Sequence, residues 1–178
     1  MIRYILDKIR KRILSPERYA RQIGVHIGKN NFVPDKETWS SEPYLITVGN
    51  NCQITMGVRL FTHGGGQPVR QRTPDFDAFG KVVVKDFVYI GNNSLIMPGV
   101  TIGENSIVAA GSVVTKSVPP NMVVAGNPAK IVCSVNDYIS RNIGYNTHTK
   151  GLSNKAKKHI LQSMQEENFI VKKVMERE

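Results

Sequence analysis

The chain has 178 residues, a formal charge of +10, 40% hydrophobic and 21% charged residues, which suits one domain with terminal additions and is short for two. No apolar run reaches the about 18 residues that a membrane span needs. The positive charge favours polyanions in general, but with only 7% aromatic residues and no motif interleaving aromatics with basic positions, nucleic acid is disfavoured as a partner.

At the amino terminus, Ile2, Ile5, Leu6, Ile9, Ile13 and Leu14 recur at helical spacing with basic residues between them. This predicts an amphipathic helix in a terminal segment spanning 1–22, with Ser15-Pro16 stopping its first part. Arg3, Asp7, Lys8, Arg10, Lys11 and Arg12 interrupt the apolar residues, so the stretch has no signal-peptide core and a cytoplasmic location is expected. A cap over the open end of the fold is the favoured role, and contact with an anionic membrane surface is the alternative.

From residue 23 a different grammar begins. Ile27-Gly28-Lys29-Asn30 and Val48-Gly49-Asn50-Asn51 are followed by Ile54 and Leu60. The pattern becomes strict from Val84, with Val84, Ile90, Ile96, Ile102, Val108 and Val114 all β-branched aliphatics six residues apart. Six such hits at one phase have chance odds on the order of one in several thousand. Val88, Ser94, Val100, Ser106, Ser112 and Val118 follow four positions after each aliphatic.

A period of six fits neither a helix, at 3.6, nor a single amphipathic strand, at 2. It fits one short flat side plus a corner, so that three units close one triangular coil of a parallel β-helix. Stacked coils build interior aliphatic ladders, while Gly and Asn tolerate the corner conformations, and no coil can bury its own face alone. The β-helix is expected over 23–132.

Two stretches leave this wall, Pro34 to Tyr44 and an excursion loop over 61–81, which contains His63. Loops of the second length in a compact domain are usually functional or disordered. Beyond 132 the hexad is lost, and 133–178 reads as a helical tail in which Ser153 caps a helix over Leu152 to Met164. Cys52 and Cys133 are the only cysteines and have no CxxC spacing, which argues against a disulfide framework or a cysteine-bound zinc.

The stretch Ile90-Gly91-Asn92, Met97-Pro98-Gly99-Val100-Thr101-Ile102-Gly103, Ala110-Gly111-Ser112-Val113-Val114-Thr115-Lys116 and Val124-Ala125-Gly126-Asn127-Pro128-Ala129-Lys130 resembles the hexapeptide-repeat acyltransferases. The similarity is strongest to the branch of maltose, galactoside, nodulation and xenobiotic O-acetyltransferases. The resemblance implies an all-β, left-handed parallel β-helix with short terminal helices, assembled as a homotrimer with sites between subunits. It implies acetyl-CoA as co-substrate and no metal.

The same resemblance makes His63, on the excursion loop, the catalytic base. An acceptor hydroxyl is a weak nucleophile and must lose its proton as it attacks a thioester. It carries coenzyme A onto Asn92, Ala110, Thr115, Lys116 and Lys130, the two lysines suiting phosphate. Where sugar-acetylating members have an acceptor-binding asparagine this chain reads Val33-Pro34-Asp35, so Asp35 is the candidate acceptor contact, with an ordinary turn as its plain reading.

The implied activity is O-acetylation of a sugar or polysaccharide precursor, with an antibiotic hydroxyl as the alternative acceptor. Two readings from other classes compete with it. A γ-class carbonic anhydrase would use three histidines at a shared zinc site, whereas only His26 and His63 fall in the repeat region and neither has close histidine spacing. A non-catalytic trimeric scaffold is the other. Arg70, Arg72, Asp75 and Asp77 on the excursion loop either select a charged acceptor or form a solvated rim.

Overall fold

In the structure, a computed structural model that describes residues 10–174, the six-residue units become two-residue strands joined by four-residue corners. In chain order these are β1 (His26–Ile27), β2 (Ile46–Val48), β3 (Gln53–Ile54), β4 (Arg59–Leu60), β5 (Val82–Val84), β6 (Tyr89–Ile90), β7 (Leu95–Ile96), β8 (Thr101–Ile102), β9 (Ile107–Val108) and β10 (Val113–Val114). A longer pair, β11 (Met122–Gly126) and β12 (Ala129–Ser134), follows.

Each strand pairs with the strand one coil away rather than with its sequence neighbour. Val84 lies beside Ile102, Ile90 beside Val108 and Ile96 beside Val114, all in parallel register. The result is three sheets, ordered β1-β2-β5-β8, β4-β7-β10 and β3-β6-β9-β11-β12, which form the three sides of one parallel coil. Among the strand pairs of the described residues, only the last, β11 with β12, is antiparallel, so the chain folds back on itself where the coil ends.

The reason lies in burial. The six hexad aliphatics from Val84 to Val114 are each no more than 1% exposed, and the second inward set, Val88 to Val118, is buried with them. An aliphatic side chain so buried stabilises the fold by about 1.5–3 kcal/mol. Three of the second set are serines, and their buried hydroxyls reach corner carbonyls: Ser94 to Gly91 (2.8 Å), Ser106 to Pro119 (3.0 Å) and Ser112 to Ala109 (2.7 Å). A small polar residue is tolerated inside because the corner supplies its acceptor.

Corners turn through left-handed residues, and Asn51, Asn93, Asn105 and Asn121 all have φ near +57°, between 54° and 60°. Asparagine adopts this conformation more readily than other side-chain-bearing residues. At Gly91 the constraint is contact instead, since a Cβ would sit 2.5 Å from the backbone nitrogen of Ala110 in the next coil.

At the start of the coil, Pro16–Ile23 forms helix α1, with the Ser15 hydroxyl accepting from Arg18 N and Gly24 ending the helix at φ 109°. Ser15-Pro16 separates the helical residues 10–13 from this helix, the stop read from the sequence, and it also starts α1, because proline at the first helical position gives up an amide that has no partner there anyway. Tyr19 and Ala20 are buried, and Ala20 joins the core. Residues 10–13 are helical, while the rest of the amphipathic helix predicted over 1–14 lies outside the described residues.

The chain divides into two compact units, Met1–Val135 and Asn136–Glu178, a boundary three residues beyond the predicted 132. The difference arises because β12 continues to Ser134, with Cys133 and Ser134 paired to Val123 and Met122 although the hexad has ended. Helix α3 (Val135–Asn142) follows, and the second unit contains helix α4 (Asn154–Ser163), capped by the predicted Ser153, which accepts from Ala156 N. No described helix is long and apolar enough to cross a membrane.

Replacing Ile102 by Ala removes one rung from the interior ladder. Stability is expected to fall by about 2–5 kcal/mol, read as a lower denaturant midpoint at unchanged slope.

Candidate active site

The excursion leaves the wall after β4 and returns at β5. Within it Gly66–Val69 forms the short helix α2, and His63 pairs with Phe79 in an isolated antiparallel bridge that ties the two ends of the loop together. The rings of His63 and Phe79 lie 5.6 Å apart at 52°, so the returning strand also holds the imidazole.

His63 Nδ1 lies 2.7 Å from Glu42 Oε2. The same carboxylate oxygen lies 2.7 Å from Thr62 Oγ1 and 3.3 Å from Ser41 Oγ, while Thr62 Oγ1 is 2.8 Å from Ser40 Oγ. Thr62 has one hydroxyl proton, so when it donates to Glu42 it accepts from Ser40, giving a short chain of hydroxyls behind the carboxylate. Thr62 is fully buried and points inward, and alternation then turns His63 outward, with its side chain 39% exposed.

Partial burial pushes the Glu42 carboxyl up. The hydrogen bonds from Thr62, His63 and Ser41, with the charge of a protonated His63, outweigh burial and hold the group below its ordinary value. Glu42 is therefore ionised near neutrality. Its oxygen then fixes the imidazole tautomer with the proton on Nδ1, which leaves Nε2 as the basic nitrogen. His63 opens on a cleft of about 370 Å³ that runs along Gly64 to Pro68 and is closed by Arg70, Asp77 and Phe79. Arg70 donates to Phe76 O (2.9 Å) and to Asp77 (3.4 Å), so this loop arginine is committed to holding the loop shut on itself.

Glu42 went unread in the sequence. It lies in the interruption 34–44, outside the hexad, and reaches His63 because Trp39 pairs with Leu60 in the adjacent coil. It is one of two glutamates, with Glu37, inside that break of the repeat, and nothing in the sequence distinguishes it.

The predicted coenzyme residues separate into two groups. Thr115, Lys116 and Lys130 line one cleft of about 380 Å³ with Pro128 and Ala129. Thr115 follows β10, which pairs through β7 with β4, so Thr115-Lys116 and Thr62-His63 occupy the same edge of the coil. Two strand spacings, about 10 Å, separate them along the axis. Asn92 and Ala110 stack on one another at a different edge, where Gly111 N donates to Asn92 O at 2.8 Å.

Asp35 is also on a different edge from His63. Its carboxylate accepts from Glu37 N (2.8 Å) and Gly57 N (3.2 Å) and lies 3.7 Å from Arg59 Nη1. Within one chain, then, it organises its own corner.

Comparison with known proteins agrees with this architecture. The family described as bacterial transferase hexapeptide (six repeats) matches residues 81–116. The protein CapG of Staphylococcus aureus is 43% identical over 164 residues, covering 90% of this chain and 95% of CapG. The chain belongs to the hexapeptide-repeat acyltransferases. It spans 60% of the galactoside O-acetyltransferase of Escherichia coli, a second relative in this acyltransferase family, at 35% identity over 125 residues, 68% of its own length.

Two solved acetyltransferases share the fold of this acyltransferase chain. A hexapeptide-repeat-containing acetyltransferase from Vibrio cholerae is 28% identical over 67% of this chain and 78% of its own, with a TM-score of 0.51. A galactoside acetyltransferase in complex with coenzyme A is 24% identical over 78% and 82%, with a TM-score of 0.56.

The depressed Glu42 carboxyl predicts an acid-side dependence. A group whose folded value is lowered contributes stability above its unfolded value, about 4.3, and loses it as pH falls through the folded value. Over pH 6 to 3 the wild type should lose unfolding midpoint faster than Glu42→Gln, and parallel curves would show that Glu42 is not held ionised by the fold.

Proposed function

We propose that this protein transfers an acetyl group from acetyl-CoA to a hydroxyl of a sugar or polysaccharide precursor, with His63 as general base. The observation that carries this reading is the 2.7 Å contact between Glu42 and His63 beside an open cleft in a chain of acyltransferase lineage. The relative from E. coli that bears the name galactoside O-acetyltransferase supports a sugar acceptor, and an antibiotic hydroxyl is the alternative within the same chemistry. The cytoplasm is the compartment this reading assigns.

In the proposed reaction His63 Nε2 takes the acceptor proton as the hydroxyl oxygen attacks the thioester carbonyl. The negatively charged Glu42 stabilises the imidazolium that forms, and Thr62 and Ser41 keep that charge in place. When the tetrahedral intermediate collapses the carbon–sulfur bond breaks, and the imidazolium returns its proton to the departing thiolate. The products are the acetyl ester and coenzyme A, and His63 is neutral again.

For the donor, Thr115, Lys116 and Lys130 fit one end of a coenzyme lying along the coil edge, the lysines pairing with phosphate. Asn92 and Ala110, on another edge, fit the same coenzyme only if a neighbouring subunit presents them. This favours the homotrimer, with its left-handed coil, that the family resemblance implies.

A thiol-release assay with acetyl-CoA and a panel of neutral sugars, acidic sugars and antibiotics tests the reading. His63→Ala should lower kcat about 10²- to 10⁴-fold and still bind coenzyme A, whereas unchanged turnover would remove His63 from the mechanism. Lys116→Ala with Lys130→Ala should instead raise the Kd for coenzyme A about tenfold, and an unaltered Kd would remove the lysines from the donor site.

A further inference from the structure

A second cleft, of about 350 Å³, reaches His63 from the other side and is lined by Trp39, Ser40, Arg59 and Phe61 among its residues. It does not overlap the cleft of the excursion loop except at His63. Strand alternation explains its construction. Leu60 and Thr62 point inward, at 1% and 0% exposure, so Arg59 on β4 and Phe61 and His63 just beyond its end turn outward.

Arg59 is the unusual member. Its side chain is 39% exposed, and among the described residues its one ion-pair partner is Asp35 at 3.7 Å, beyond hydrogen-bond length. Among the described residues its guanidinium donates no hydrogen bond, and its buried Nη1 has no partner. Asp35 does not depend on it, being held by two backbone amides. Trp39, packed against the core, has a buried indole nitrogen that is also unpartnered. Two aromatic rings, serine hydroxyls and a guanidinium with spare donors form one groove that ends at the base.

Resting on the acetyltransferase reading above, we propose that this groove is the acceptor subsite and that Arg59 selects a sugar bearing a carboxylate, a uronic acid. A guanidinium fork matches a carboxylate in two parallel hydrogen bonds. The neighbouring negative charge of Asp35 disfavours a doubly charged phosphate in the same place. From Arg59 to His63 the chain advances four residues, at most about 13 Å between their Cα atoms, room for a pyranose ring between the held carboxylate and the reacting hydroxyl. The loop arginine does not compete for this role, since Arg70 is already engaged with Phe76 and Asp77.

The test compares kcat/KM of the full-length enzyme, with acetyl-CoA, for methyl galacturonide, methyl galactoside and galactose 1-phosphate. The wild type should prefer the galacturonide about tenfold or more, as expected for a charge-assisted pair. Arg59→Gln should bring the ratio of galacturonide to galactoside close to one, and Arg59→Lys, which keeps the charge without the fork, should retain part of it. Unfolding midpoints of both variants confirm that they fold.

No preference in the wild type, a preference for the phosphate, or a preference that survives Arg59→Gln would overturn the subsite. His63-dependent transfer in those cases leaves the acetyltransferase reading standing. If no acceptor is acetylated, saturation-transfer NMR with methyl galacturonide decides separately. Binding that is lost in Arg59→Gln supports the subsite while the acetyltransferase reading fails, and absence of binding to the wild type overturns it.

Discussion

A strand of two residues cannot hold itself, and every strand from β6 to β10 is that short. Each exists because its backbone amides and carbonyls are met by the coil on either side, as when Leu95 N donates to Ser112 O and Arg59 N to Ser94 O. The molecule therefore depends on register between coils. A coil of the wrong circumference would put a polar residue in the ladder and shift every strand that follows it by a residue, turning inward side chains out. The six-residue period is the sequence form of that constraint. It explains why the corners are so uniform, with asparagine in the left-handed region and glycine where the next coil passes within contact.

A wall so regular leaves little freedom for chemistry, and the site arises where regularity is suspended. Between Leu60 and Val82 one corner is replaced by an excursion, and between Phe32 and Ile46 a looser coil supplies residues that the repeat would not permit. Both breaks sit on coils that remain paired, Trp39 with Leu60 and Leu60 with Ile96. The two irregular segments are thus fixed to a rigid scaffold, and Glu42 meets His63 at 2.7 Å although both lie outside the hexad. Rigid support under an irregular segment is what a positioned pair of side chains requires.

This division explains what the sequence made legible. The hexad exposed the coil, its inward residues and the location of the long excursion, because periodicity is a local property of the chain. His63 was legible because it stood in the one long break and matched a known family. Glu42 was not, since its partnership is fixed by which coil stacks on which, and that depends on the length of an irregular loop. Asp35 was legible only as a position. Its role as a corner acceptor for Glu37 N and Gly57 N, with Arg59 alongside, follows from the neighbouring coil.

The separation of the two clefts at His63 has a chemical consequence. In the proposed acyl transfer the imidazole takes a proton from the acceptor hydroxyl and returns it to the departing thiolate, so both partners must come within reach of one nitrogen. On one side of His63 lies the excursion cleft, and on the other the groove of Trp39 and Phe61. Thr115 and Lys116 stand on the same edge two coils away. The carboxylate of Glu42, tied back by Thr62, Ser41 and behind them Ser40, fixes the ring between the two, so that Nδ1 is occupied and a single nitrogen remains to serve both partners. In the proposed reaction that one nitrogen serves both partners, so the proton it takes from the hydroxyl is the one it returns to the thiolate.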